Sequence, residues 1–178
     1  AGKIVFSCFF FGLCDASIVF IGTVLLEKGL VPSWFIFSLG AGALFVRTAG
    51  RNIFNRYQRT VFAGPSFLIM ALCLLGLAFT RTSFGLVIWG FFYGMGMGYG
   101  YPAHLALTAD LAAPRLRAKA SALVHFSMDL SWFILPLYMG FGCTLLGTRR
   151  AFLLFTLTCI ATAVMTTVMW MPRRNGRA

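Results

Sequence analysis

The stretch WGFFYGMGMGYGYPAHLALTADLAAPRLRAKA, residues 89–120, decides the architecture. Gly90, Gly94 and Gly98 fall at i, i+4 and i+8, and Gly96 and Gly100 form a second ridge, so one helix can approach neighbours closely on two sides. Pro102 removes a backbone N–H from the same helix and invites a kink. Two readings stand: the glycines only permit tight packing, or the helix bends or slides in a functional cycle. The apolar run stops at Pro114, and Arg115, Arg117 and Lys119 lead into another apolar run. An apolar helix, a short basic turn and a second apolar helix are the pattern of a polytopic membrane protein.

Working outward, the same pattern repeats. Hydrophobic residues make up 60% of the 178 and charged ones only 11%, a balance that a water-soluble domain of this size would not carry on its surface. A helix needs about 20 apolar residues to cross the hydrocarbon core. Six windows meet or approach that length, at about 4–26, 31–46, 61–80, 84–109, 118–145 and 150–171. The expected fold is therefore all-α, one six-span transmembrane domain over 1–178. The second window is the shortest, opened by Pro32 and closed by Arg47, and a re-entrant segment is the alternative there.

The formal charge of +11 raises the question of nucleic acid, but the basic residues punctuate apolar runs instead of lining one polar face, so no nucleic-acid partner is expected. If the N-terminus is cytoplasmic, the inner segments hold eleven Lys and Arg, at 3, 47, 51, 56, 59, 115, 117, 119, 173, 174 and 177. The outer turns hold four, Lys28, Arg81, Arg149 and Arg150. This bias places both termini in the cytoplasm. The expected location is the plasma membrane, a bacterial inner membrane, with lipid as the main partner. The adjacent Arg149 and Arg150 run against the bias.

Asp15, Glu27, Asp110 and Asp129 are all the acids. At about 1.5 Å per residue, Asp15 and Asp129 each lie roughly 16 Å into their spans, near the midplane. An ionised group facing lipid there costs at least about 2.5 kcal/mol, so both are expected to face a cavity or a partner within the bundle. Asp15 shares its face with Cys8, Gly12, Val19 and Gly22, all small or compact. His125 stands one turn before Asp129, and the stripe continues through Trp132 and Pro136, an acid, a base and an aromatic surface together. That face suits proton and ligand binding. A packing lock, in which Asp129 bonds His125, Ser127 or Ser131, is the other reading.

His104, just after Pro102 and about six residues from the end of its span, reads as a polar interface residue within reach of water. Trp34, Tyr57 and Trp170 sit near span ends as anchors. Five cysteines, all within spans and none in a CxxC pair, read as packing residues, and no metal or cofactor is expected. There is no HExxH, no GxSxG and no GK[ST] loop, which disfavours an enzyme.

The stretch from Gly98 to Ala120, followed by Phe126-Ser-Met-Asp129-Leu and Pro136, resembles the major facilitator superfamily, in which a Gly-rich tenth span with a Pro leads into a short loop with an acid, a Pro and Arg-Gly-x-Ala. The loop Arg47 to Arg59 resembles the family's cytoplasmic signature, with Asn55 where Asp is expected, Gln58 where Gly is expected, and Ala118 in place of the later Gly. Phe126 to Leu130 with Pro136 is similar to an element of the sugar and metabolite efflux permeases. The resemblance implies two inverted three-helix repeats and secondary active transport of a small solute by alternating access, proton-coupled. It implies that spans one to six here are spans seven to twelve of a longer protein, so that an N-terminal six-helix half, or a second copy as a dimer, is a partner; the chain's start at Ala1, without Met, fits that expectation. Arg47, Asn55, Arg56, Arg59, Asp110 and Arg117 become candidates for a cytoplasmic gate. Asp129, His125, Asp15 and Trp132 become candidates for substrate or proton coupling. A non-transporting six-span scaffold is the competing class.

Overall fold

In the computed structural model the described residues are 2–49 and 60–170, and among them the chain is all helix and turn with no strand. The helices are α1 (Gly2–Ala16), α2 (Ile18–Glu27), α3 (Pro32–Ala49), α4 (Thr60–Phe79), α5 (Ser83–Leu111), α6 (Arg117–Leu146) and α7 (Thr148–Trp170), with a 3₁₀ turn at Pro114–Leu116. The α1–α2 unit, α4, α6 and α7 are each long and apolar enough to cross a membrane. Helices α3 and α5 are long enough but less apolar, because glycine, serine and tyrosine replace aliphatic residues along them. Those small residues are what bring the two helices together.

Local rules set the ends. Pro32 occupies the first turn of α3, where its missing N–H costs nothing. Thr82 caps α5 by accepting from the Gly85 N–H at 3.2 Å. Gly147, at φ +78°, turns the chain between α6 and α7, a conformation glycine adopts without strain. The first window is not one helix as expected. It breaks at Ser17, where the Ser17 N–H reaches back three residues to the Cys14 carbonyl at 3.2 Å and separates α1 from α2. The second window is a continuous helix that runs past Arg47 to Ala49.

Packing contacts fix the helix directions. Phe35, Leu39 and Ala43 of α3 meet Gly90, Gly94 and Gly98 of α5 in rising order, so α3 and α5 run parallel. Val5 meets Ser127, and Gly12 meets Met128 and Ser131, so α1 and α6 also run parallel. Ser7 meets His104 while Cys14 meets Tyr93, which makes α1 and α5 antiparallel. Gly64 lies against Thr167, and Ala78 shares a cleft with Arg149 and Phe152, so α4 and α7 are antiparallel. Consecutive units thus reverse direction along the chain. One end of the bundle gathers Lys3, Leu116, Lys119 and Trp170 around a single cleft, and the other gathers Lys28, Arg81 and Arg149.

Helix α4 holds the middle of the core, with Phe67, Met70, Leu74 and Leu77 fully buried against α5 and α7. Its outer face, Ile69, Leu72 and Phe79, is exposed and uncharged, as is that of α7 at Leu154, Leu157, Val164 and Val168. Helix α6 is the least enclosed. It turns Val124, Ser127, Met128, Ser131 and Leu135 toward its neighbours and leaves the opposite face open.

Candidate functional site

The open face of α6 carries the stripe singled out in the sequence. His125, Asp129, Trp132 and Pro136 are all exposed on it. The expectation that Asp129 faces a cavity or partner within this bundle is therefore corrected: α6 needs its small and polar Ser127 and Ser131 at the close approach to α1, and that choice rotates Asp129 away. The packing lock does not form either. The His125 Nδ1–H donates to the Ser121 carbonyl at 2.8 Å, Ser127 donates to the Val5 carbonyl at 3.3 Å, and Ser131 donates to the Met128 carbonyl. Asp129 has no hydrogen-bond or ion-pair partner among the described residues. The His125 ring stands edge-on to Tyr101 of α5, with centroids 6.5 Å apart.

Asp15 is placed differently. It sits two residues before the helix break, only 9% exposed, with Oδ1 buried and unpartnered among the described residues. The break is held from α5: the Tyr93 hydroxyl donates to the Cys14 carbonyl at 2.7 Å and lies 3.4 Å from the Ser17 hydroxyl, both in full burial. A carbonyl shared with a side chain this way is a recognised cause of a helix break. The small face expected around Asp15 also splits there: Cys8 and Gly12 are buried against the bundle, whereas Val19 is 63% exposed and Gly22 meets nothing. Tyr93→Phe removes the tie while keeping the ring. The expected result is a loss of about 1 kcal/mol of stability, read as a lowered thermal midpoint in detergent; an unchanged midpoint would show that the hydroxyl does not hold the break.

The glycines lie against backbone. A Cβ at Gly90 would stand 2.6 Å from the Phe35 carbonyl oxygen and would also overlap Ser38, and one at Gly94 would overlap the Leu39 carbonyl. Gly98 faces Ala43 and Val46 at 3.3 Å. The second ridge turns the other way, Gly96 to Ser66 and Met70 of α4, and Gly100 to Phe11 and Ser66. Pro102 lies inside α5, which continues as one helix through it.

Sequence reasoning put His104 near water, and the structure corrects this: the residue is fully buried. Its Nδ1 lies 2.8 Å from the Gly100 carbonyl, which can only accept, so Nδ1 carries the proton in the neutral ring. Nε2 then accepts from the Ser7 hydroxyl at 2.8 Å, and the ring packs on Phe11 at 4.6 Å. Ser7, Tyr93 and Ser17, unlike His104, were not singled out in the sequence. Their only signal in sequence is a hydroxyl inside an otherwise apolar run.

Of the gate candidates, Arg47 lies in the last turn of α3, Asp110 lies at the end of α5 and Arg117 begins α6, all exposed. Asn55, Arg56 and Arg59 lie outside the described residues. A cleft of about 540 Å³, mostly apolar, opens between the start of α1, the end of α5, the start of α6 and the end of α7, with Lys3, Lys119 and Trp170 on its wall and without Arg47, Asp110 or Arg117. Among the described residues no three His, Cys, Asp or Glu side chains come together as a metal site.

The sequence is 28% identical over 111 residues to the apicoplast pyruvate carrier 2 of Toxoplasma gondii. That match covers 62% of this chain and 17% of the carrier, so the chain matches much less than two thirds of the curated relative. The description of the Major Facilitator Superfamily fits residues 4–178, a span that includes Asp15 and Asp129. On that match, and on an all-helical bundle with four helices fit to cross a membrane, the chain belongs to the Major Facilitator Superfamily.

Proposed function

We propose that this chain is the C-terminal six-span half of a twelve-span secondary transporter, moving a small solute by alternating access with a proton as coupling ion. The pairing pattern supports two inverted repeats, α1–α2 with α3 and α4, then α5 with α6 and α7. Exchanging the repeats turns the parallel α1/α6 contact into the parallel α5/α3 contact, and maps the antiparallel pairs α1/α5 and α4/α7 onto themselves.

One observation carries the functional reading. The open face of α6 presents His125, Asp129 and Trp132 at mid-helix, and an unpartnered carboxylate is too costly to present to hydrocarbon. That face therefore borders a water-filled path closed on its far side by the other half. Protonating Asp129 removes a charge from the path and shifts the balance between inward-open and outward-open forms. Asp15, unpartnered at a helix break, is the second acid on the path, in keeping with the discontinuous helices that form transporter sites. With Lys3, Arg47, Arg115, Arg117 and Lys119 at one end, that end is cytoplasmic.

Similarity to the pyruvate carrier makes short monocarboxylates the first substrates to test. The full-length protein in proteoliposomes is expected to accumulate at least one solute of a panel led by pyruvate when a pH gradient is imposed, and to lose that accumulation when a protonophore is added. A panel with no gradient-driven flux would sink the reading.

A further inference from the structure

Three of the four basic residues of the outer turns, which the charge bias does not explain, come together in space. Lys28 follows α2, Arg81 lies between α4 and α5, and Arg149 is in the first turn of α7. With Ala78 and Phe79 they line a cavity of about 310 Å³, and Lys28 and Arg149 also border an adjoining one of about 190 Å³ with Glu27 and Phe152.

Lys28 is committed: Nζ donates to the carbonyls of Leu77 at 2.7 Å, Ala78 at 2.8 Å and Thr80 at 3.3 Å, capping the negative end of α4. The Arg81 and Arg149 guanidinium groups make no hydrogen bond or ion pair among the described residues. The one nearby acid, Glu27, accepts from the Thr148 hydroxyl at 2.7 Å and pairs with no cation among them. The cluster therefore carries more positive charge than its own acid neutralises.

Two further features agree. Arg149 and Arg150 occupy the first turn of α7, the positive end of its dipole, where cations are disfavoured unless an anion joins them. Partial burial, then the proximity of Arg149 and Arg81, holds the Lys28 ammonium below the ordinary lysine range.

We propose that Lys28, Arg81 and Arg149 form a binding site for a phosphate oxyanion, taken from a phospholipid headgroup or from free phosphate. Two guanidinium forks supply donors that match the tetrahedral oxygens of a phosphate, the Lys28 ammonium adds its charge while its N–H groups stay on the α4 carbonyls, and the exposed Phe79 beside them offers an apolar contact at headgroup depth. The site lies at the end opposite the cleft that Lys3 and Lys119 line, apart from the α6 stripe, and does not depend on which solute is carried.

The test uses the full-length protein in neutral detergent, with native mass spectrometry against equal phosphatidylglycerol and phosphatidylcholine, and thermal midpoints in inorganic phosphate or chloride at matched ionic strength. Each arginine at the surface is worth about fivefold in attraction to an anionic lipid, so R81Q/R149Q is expected to lower the preference for phosphatidylglycerol about 25-fold, toward none. R150Q, outside the cavity, is the control and leaves it in place. A lipid preference lost in the double variant assigns the headgroup. A phosphate-dependent rise in midpoint, present in the wild type and lost in the double variant, assigns free phosphate. Preference for neither ligand, preference unchanged in R81Q/R149Q, or equal loss in R150Q overturns the site.

Discussion

Gly94→Leu is expected to abolish the folded protein, with no monodisperse peak surviving solubilisation. The reason is what the new atoms would meet. A Cβ at Gly94 already overlaps the Leu39 carbonyl, with the Leu39 Cα at 2.9 Å, and neither is the end of a flexible side chain that could swing away. Substituting a mid-helix glycine gains at most about 1 kcal/mol of helix propensity. Forcing apart two backbones in contact costs about 3 kcal/mol or more. In lipid the loss weighs further, because close packing of small residues replaces the hydrophobic drive between helices. Gly140→Ala is the matched control: nothing lies within 4 Å of its Cβ position, so its thermal midpoint should equal or exceed the wild type's. A Gly94→Leu protein that melts with the wild type would show that α3 and α5 are not in contact there.

The helices were legible in the sequence to within a few residues, because apolar runs bounded by Pro, Gly and basic turns leave few places for a helix to end. The glycine ridges were legible for a related reason: spacings of four put missing side chains on one face, and the structure lays backbone against that face at Gly90 and Gly94. The break at Ser17 was not legible. Nothing local forbids a continuous helix there, and the cause is a hydroxyl 76 positions away, Tyr93 beside Ser17 and bonded to Cys14.

Side-chain direction was the least accessible property. In a water-soluble helix, hydrophobic periodicity separates inside from outside; α6 has apolar residues all round, with Phe126, Phe133 and Leu137 exposed and Val124, Met128 and Leu135 buried. Asp129 was therefore given an inward direction from cost alone. His104 was misplaced for the converse reason, since a histidine after Pro102 reads as a break near water, whereas Gly100 and Ser7 satisfy both ring nitrogens in the dry core.

The second large effect concerns Asp129. If its carboxylate carries the coupling proton, Asp129→Asn holds the side chain's shape and polarity in a permanently neutral form. The two orientations can then exchange with solute bound, but a pH gradient no longer does work on the cycle. Asp129 is exposed on α6 and has no partner among the described residues, so the substitution leaves the packing intact, in contrast to Gly94→Leu, whose neighbours are backbone.

The most direct measurement is solute accumulation by full-length wild type and Asp129→Asn in matched proteoliposomes, with and without a pH gradient, alongside solute exchange at equal pH. The wild type is expected to concentrate its solute by up to about tenfold per pH unit for a single coupled proton. Asp129→Asn is expected to keep exchange while its accumulation falls to the level reached without a gradient. An Asp129→Asn protein that concentrates solute as steeply as the wild type would contradict the assignment of Asp129 as the coupling group.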